Sequence, residues 1–216
     1  MLNSVRFLAS ISGLLTVISI LYATATASTD DQPLRAVPAL VSQRYCAGDA
    51  KTFSVWLRMR MTYTNRTDRT LILDKEIGKA WNRVTVARDL EDLNAGKYEY
   101  NPNIDWFFTD KDQLPKKVSL AAPGPDFAIL PPGKTFESEV DPSVVTQYDN
   151  AKGVAGAIRS GTHIFEMQLS AWNRPGLPSE FEKSWRQKGQ IVTGLIKTEP
   201  IEIRVPPNPK VENECK

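Results

Sequence analysis

The sequence is poor in the side chains that most enzymes use for chemistry. It contains one histidine, His163, and two cysteines, Cys46 and Cys215, in 216 residues. A serine- or cysteine-based triad would have to use that single histidine, and a zinc site normally needs several histidine or cysteine ligands. These scarcities argue against a triad hydrolase and a zinc enzyme. No catalytic or cofactor motif is recognisable, so we expect no cofactor.

An excess of charge of one sign is also missing. Lysine and arginine number 27 and aspartate and glutamate number 25, and the sequence has no basic block. Binding to phosphates depends on clustered cations that release counterions. The balanced charge therefore argues against nucleic acid as a partner.

The first 27 residues have the three-part layout of a secretory signal peptide. Arg6 precedes an uncharged stretch over residues 7–22, and alternating small residues then lead to Ala27. The apolar stretch is shorter than the roughly 20 residues that span a bilayer comfortably. We expect cleavage after Ala27, with Ala25 as the second choice, and no stable membrane insertion afterwards. An uncleaved membrane anchor is the alternative.

Cleavage would leave 189 residues, which is enough for one domain with a sizeable core. Residues 28–45 contain two prolines and no sustained hydrophobic period, so they are interpreted as a tether, and residues 46–216 as the domain. In an oxidising compartment, Cys46 and Cys215 are expected to pair and to tie the ends of this domain together. Two free thiols or a bridge between two chains are the alternatives.

Alternation of apolar and polar residues predicts the longest strand over residues 53–64. Asparagine and aspartate in the next few positions predict a turn. Prolines separate shorter strand candidates, and two connections, around residues 89–93 and 179–182, favour short helices. Many short strands without alternating long helices predict an antiparallel sandwich rather than a parallel α/β sheet. The shorter candidates are residues 70–73, 83–87, 104–109, 126–130, 135–140, 161–172 and 198–205.

Several stretches resemble immunoglobulin-like domains of bacterial exported proteins. In residues 53–73 an alternating strand runs into Asn65, Arg66, Thr67 and Asp68 and then into a second apolar strand. The resemblance extends to a Pro-Gly strand and two later strands at residues 130–136, 160–169 and 197–203. It implies an all-β, antiparallel immunoglobulin-like β-sandwich with long loops and one or two short helices. A bacterial proteinase-inhibitor family shares part of this layout, but no inhibitory loop can be named in this chain.

His163 stands where such domains usually carry a tyrosine. In the tyrosine corner the phenol bonds to the backbone a few residues upstream. The resemblance therefore implies that an imidazole bond replaces that interaction or that the interaction is lost. The histidine shares its strand face with Phe165, Met167, Leu169 and Ala171, which favours a partly buried structural role.

Aromatic residues and two connections supply a candidate binding surface. Its residues are Tyr98, Tyr100, Trp106, Arg174, Phe181 and Trp185. The first three are crowded together with asparagines, a combination suited to holding sugars or extended peptides. The last three belong to the long connection 173–190, whose counterpart in variable-type sandwiches is a recognition loop. The alternatives are that the rings fill the core and that the connection covers a sheet edge.

The expected function is a secreted, non-enzymatic binding or accessory module that recognises an extracellular or cell-envelope protein or glycan, in a secreted or periplasmic location. One alternative is a carbohydrate-active hydrolase with carboxylates such as Asp105 and Glu99; another is a proteinase inhibitor. The remaining acidic groups, Asp110 with Asp112 and Glu91 with Asp92, are better explained as solvated loop charge. Asn65 heads a glycosylation motif, although the turn explains it without a glycan.

Overall fold

The computed structural model describes residues 32–78, 82–102, 119–151, 153–174 and 178–213. Along these ranges the chain forms eleven strands and two short helices. The strands are β1 (Leu34–Ala47), β2 (Thr52–Asn65), β3 (Leu71–Asp74), β4 (Asn82–Ala87), β5 (Phe127–Leu130), β6 (Thr135–Val140), β7 (Ser143–Gln147), β8 (Gly161–Ser170), β9 (Gln190–Ile191), β10 (Leu195–Lys197) and β11 (Ile201–Val205). The helices are α1 (Leu90–Asn94) and α2 (Pro178–Trp185).

The first sheet is built around β2, because its alternating side chains can bury one face and leave the other to water. Strand β1 pairs antiparallel along one side of β2, while β6 and β7 share the other side, one after the other. The six apolar residues predicted for one face are all 1% exposed or less. They are Phe53, Val55, Leu57, Met59, Met61 and Tyr63.

The second sheet is built around β8 in the same way. Strand β4 pairs antiparallel with one side of β8, and the registers place β10 and β11 on the opposite side. A third, smaller sheet has the order β5-β3-β9, in which β9 runs parallel to β3. Most of the remaining ladders are antiparallel, so the predicted all-β antiparallel fold is confirmed.

The main core lies between the inward faces of β2 and β8. Phe165, Met167 and Leu169 from β8 join the six apolar residues of β2 in one hydrophobic cluster. Each fully buried side chain of this size stabilises the fold by about 1.5–3 kcal/mol. The two central strands therefore supply much of the apolar area that holds the layers together.

The tether predicted over residues 28–45 is wrong from Leu34 onwards. Leu34 and Ala36 are 1% and 2% exposed and belong to the main core, because β1 pairs with β2 along its whole length. The domain therefore begins before residue 46. Pro38 and a register shift between Leu40 and Ser42 interrupt the hydrophobic alternation, and both features are typical of an edge strand.

The outer edge of β1 is covered at two points. Glu199 donates its N–H to the carbonyl oxygen of Ala36, at 2.8 Å. Near the other end, Ala47 donates its N–H to the carbonyl oxygen of Glu212, and the Glu212 N–H is donated to Tyr45. Covering an edge in this way satisfies backbone groups that would otherwise attract other strands.

Most of the remaining strand predictions are confirmed to within a few residues, and both short helices are present. Strands β7, β9 and β10 were not predicted; they have five, two and three residues and follow prolines or glycines. The strand predicted over residues 104–109 lies outside the described residues.

Candidate functional site

The single histidine is engaged in two structural hydrogen bonds. His163 is 4% exposed. Its Nδ1 lies 2.7 Å from Oε2 of Glu99, and its Nε2 lies 2.9 Å from the carbonyl oxygen of Arg159. The Arg159 carbonyl oxygen can only accept a hydrogen bond, so Nε2 donates to it. These contacts explain a buried histidine without a catalytic role.

The bond to Arg159 joins the start of β8 to a backbone carbonyl four residues upstream. It therefore fastens the first residues of the strand to the segment that precedes them.

Replacing His163 therefore tests what the Arg159 bond contributes. We expect His163→Phe to lower the free energy of unfolding by about 1–3 kcal/mol, because it leaves the Arg159 carbonyl without its donor. His163→Tyr is the matched variant, since a phenol can still donate to that carbonyl. We expect this variant to lose less stability than His163→Phe. Urea unfolding followed by tryptophan fluorescence measures both. Equal losses would contradict a role for the Arg159 bond.

Four of the five described residues of the predicted binding surface are buried. Tyr100 is 5% exposed and lies in the main core, and Phe181 and Trp185 are 5% and 0% exposed. The Arg174 side chain is likewise only 5% exposed. Tyr98, at 43%, is the one described member that reaches solvent, and Trp106 lies outside the described residues. The prediction is wrong for the four buried residues, because the three aromatic rings pack in the cores and Arg174 forms a buried ion pair.

Arg174 is buried through a bidentate ion pair with Asp74. Its Nε and a terminal nitrogen donate to the Asp74 carboxylate at 2.8–3.1 Å. The backbone N–H groups of Glu76 and Asn173 donate to the same carboxylate, and the guanidinium lies 5.4 Å from the Phe127 ring centroid. Buried charges are tolerated when they are paired and hydrogen-bonded in this way. The pair fastens the segment after β8 to the end of β3.

The aromatic side chains of α2 fill a second core. Phe181 and Trp185, four residues apart, point to one side of the helix and pack with Phe127 and Trp172. The ring centroids of Phe127 and Trp185 are 4.9 Å apart in an edge-to-face arrangement. This packing places α2 against the third sheet, so the long connection 173–190 covers the fold with one face and presents its other face to solvent.

Several of the described carboxylates have structural partners. The N–H of Asp92 donates to Asp89 at the start of α1 and lowers the pKa of the Asp89 carboxyl. Asp92 pairs with Arg88 at 2.7 Å. Burial raises the pKa of the Glu166 carboxyl, and Lys197 at 3.0 Å offsets part of that effect. The remaining candidates, Asp105, Asp110 and Asp112, lie outside the described residues.

Asn65 acts as the centre of the turn after β2. Its Nδ2 donates to the carbonyl oxygens of Arg69 and Leu130 at 2.7 and 2.8 Å, and its Oδ1 accepts from Thr67. Asn65 is 1% exposed. Both amide hydrogens are therefore used inside the fold, which supports the interpretation of this motif as a turn.

A groove that sequence reasoning missed lies between α2 and β9. It has a volume of about 890 Å³, and its charged lining residues are Arg69, Glu182, Lys183, Arg186 and Lys188. The four cations are all exposed. We call this feature the basic groove. Arg69 is distant in sequence from the other three, and the pairing of β3 with β9 brings them together, which explains why no basic block predicts it.

Within the described ranges, no three histidine, cysteine, aspartate or glutamate residues form a group that could hold a metal ion. No helix in the same ranges is long and apolar enough to cross a membrane.

Comparison with protein-family models, with curated proteins and with solved structures finds no match for this chain.

Proposed function

We propose that this protein is an exported, non-enzymatic binding module with an immunoglobulin-like topology. The strand order supports the topology: β1, β2 and β6 with β7 form one sheet, and β4, β8 and β10 with β11 form the other. In chain order these correspond to the A-B-E and C-F-G strands of immunoglobulin-like sandwiches. The His163 bond at the start of β8 further supports it, because the tyrosine corner lies at the start of strand F.

The observation that carries the binding function is the basic groove. It gathers four exposed cations and one acid around a concave surface on a chain that is nearly neutral in total. Like charges held close together repel, so such an arrangement is favourable when a partner of opposite charge completes it. The partner on this proposal is an extracellular or cell-envelope molecule that presents negative charge.

Export, and pairing of Cys46 with Cys215, belong to the same proposal. Cys46 is 5% exposed, and the backbone of Glu212 pairs with it, three residues before Cys215. Cys215 and the signal sequence lie outside the described residues. The pairing at Glu212 supports the bridge because it brings the end of the chain alongside Cys46.

A photo-crosslinking residue placed in the groove tests the binding function. Gln187 lines the groove and is exposed, and Lys134, exposed in the turn before β6, is the control position. In the cells that produce the protein, we expect a discrete crosslinked species from position 187 and none from position 134. Absence of a species from both positions, or hydrolysis of glycosides by the purified protein, would argue against a binding module.

A further inference from the structure

The cations of the basic groove are not neutralised within the described part of the chain. Lys183, Arg186 and Lys188 form no ion pair there, and the Arg69 guanidinium forms an ion pair only with the neighbouring Asp68, at 3.9 Å. By contrast, Arg35, Arg44, Arg58 and Arg88 each pair with an acidic residue. The groove therefore holds positive charge that is available to a ligand.

Strand β9 is also an edge strand, because in the order β5-β3-β9 no described strand pairs with its outer side. Strand β9 uses the N–H groups of Gln190 and Val192 to bond to β3, at 2.9 Å each. Successive backbone groups in a strand point in opposite directions. The N–H and carbonyl of Ile191 therefore point away from β3, and Ile191 lines the groove.

The lining chemistry favours a polypeptide over a glycan. None of the groove-lining residues in the described ranges is aromatic, because Phe181 and Trp185 of α2 point into the fold. The groove thus lacks rings on which sugars could stack. The groove offers the backbone edge of β9 with cations on one side. An added strand with acidic side chains requires both features.

We propose that the basic groove binds an extended acidic segment of a partner protein. The main chain of that segment lies along the outer edge of β9, and its carboxylates contact Lys183, Arg186 and Lys188. This inference rests on the proposed binding function and names the chemical class of the partner.

Fluorescence anisotropy with a labelled peptide of alternating glutamate and threonine tests the proposal on the full-length exported protein. We expect salt-sensitive binding that the combined change Lys183→Glu, Arg186→Glu and Lys188→Glu weakens by about tenfold or more, because favourable charge pairs become repulsive. The matched control, Lys51→Glu, Arg60→Glu and Lys134→Glu, makes the same change in net charge at exposed positions outside the groove lining and should bind like the unaltered protein. Circular dichroism verifies that both variants are folded.

A second peptide with N-methylated amides has the same charge but cannot pair fully with a strand edge. We expect it to bind more weakly than its parent. The proposal would be overturned if the two peptides bind equally well or if the acidic peptide does not bind. It would also be overturned if the two triple variants lose the same amount of affinity for the acidic peptide. If heparin binds instead of the acidic peptide, and the groove variant loses that binding, the acidic-segment proposal would also be overturned. The protein would then remain a binding module, with a glycan as its partner.

Discussion

Replacing Asp74 by asparagine should lower the free energy of unfolding by about 3–5 kcal/mol, the range for removal of one member of a buried ion pair. The substitution keeps the shape of the side chain and removes its charge. Among the described acidic side chains, the Arg174 guanidinium, whose side chain is 5% exposed, then keeps the exposed Asp126 carboxylate at 3.7 Å as its ion-pair partner. Urea or thermal unfolding measures the loss.

Two further variants separate the charge effect from other causes. Asp68→Asn also removes an acid that pairs with an arginine, but the Asp68 side chain is 93% exposed, so we expect a change of less than about 1 kcal/mol. The double variant Asp74→Asn with Arg174→Met should be more stable than Asp74→Asn alone, because it leaves no buried charge unpaired. A double variant less stable than the single one would show that packing of the arginine, rather than its charge, dominates.

The proposed Cys46–Cys215 bridge should stabilise the domain by about 4–5 kcal/mol in the chain-entropy account, because it closes a loop that spans almost the whole fold. Alkylation in denaturant followed by intact-mass measurement should add two alkyl groups only after reduction. The same spectrum should give a chain that begins at Ser28. Alkylation without reduction would contradict the bridge, and a retained amino terminus would contradict cleavage.

Serine variants give an independent measure of the same bridge. If the two cysteines pair, Cys46→Ser and Cys215→Ser should each lose about the same stability as the double variant, since any one of them abolishes the crosslink. A much larger loss for Cys46→Ser would instead reflect the burial of that side chain, which is 5% exposed. A disulfide-linked dimer on non-reducing electrophoresis would indicate a bridge between chains.

The uninterrupted alternation of β2 allowed this strand to be predicted from the sequence, whereas the interrupted pattern of β1 did not. The period-two pattern of β2 corresponds to a face that is entirely buried, so the pattern and the packing agree. In β1, Pro38 and the irregularity after Leu40 disturb that pattern, although the strand pairs with β2 throughout. Pairing of β1 is a tertiary property, since β2 supplies the partner groups that no local signal reveals.

The candidate site was predicted less well, for a related reason. Aromatic and charged residue types do not by themselves distinguish a binding surface from a core, and Trp185 and Arg174 are buried by partners at Phe127 and Asp74. The spacing of Phe181 and Trp185 did indicate one apolar stripe. Composition could not show that the cations on the opposite side of α2 would line the same groove as Arg69.

The stability of the Asp74 pair and the integrity of the basic groove are linked. Asp74 ends β3, and β3 holds β9 through the N–H groups of Gln190 and Val192. Gly189 permits the close approach at this junction, because a β-carbon there would lie 2.8 Å from the carbonyl oxygen of Thr70. A variant that loosens β3 should therefore weaken the groove without altering any of its cations.

The placement of Leu34 and Glu212 along β1 has a mechanical consequence. Leu34 begins β1 opposite Asn65, whereas Glu212 pairs with Cys46 at the far end of the same strand. With the proposed Cys46–Cys215 bridge reduced, a stretching force applied through Leu34 and Glu212 would pull along the axis of β1 and load its ladder with β2 in shear. Hydrogen bonds loaded in shear break together rather than one after another. A domain built in this way should withstand tension before it unfolds.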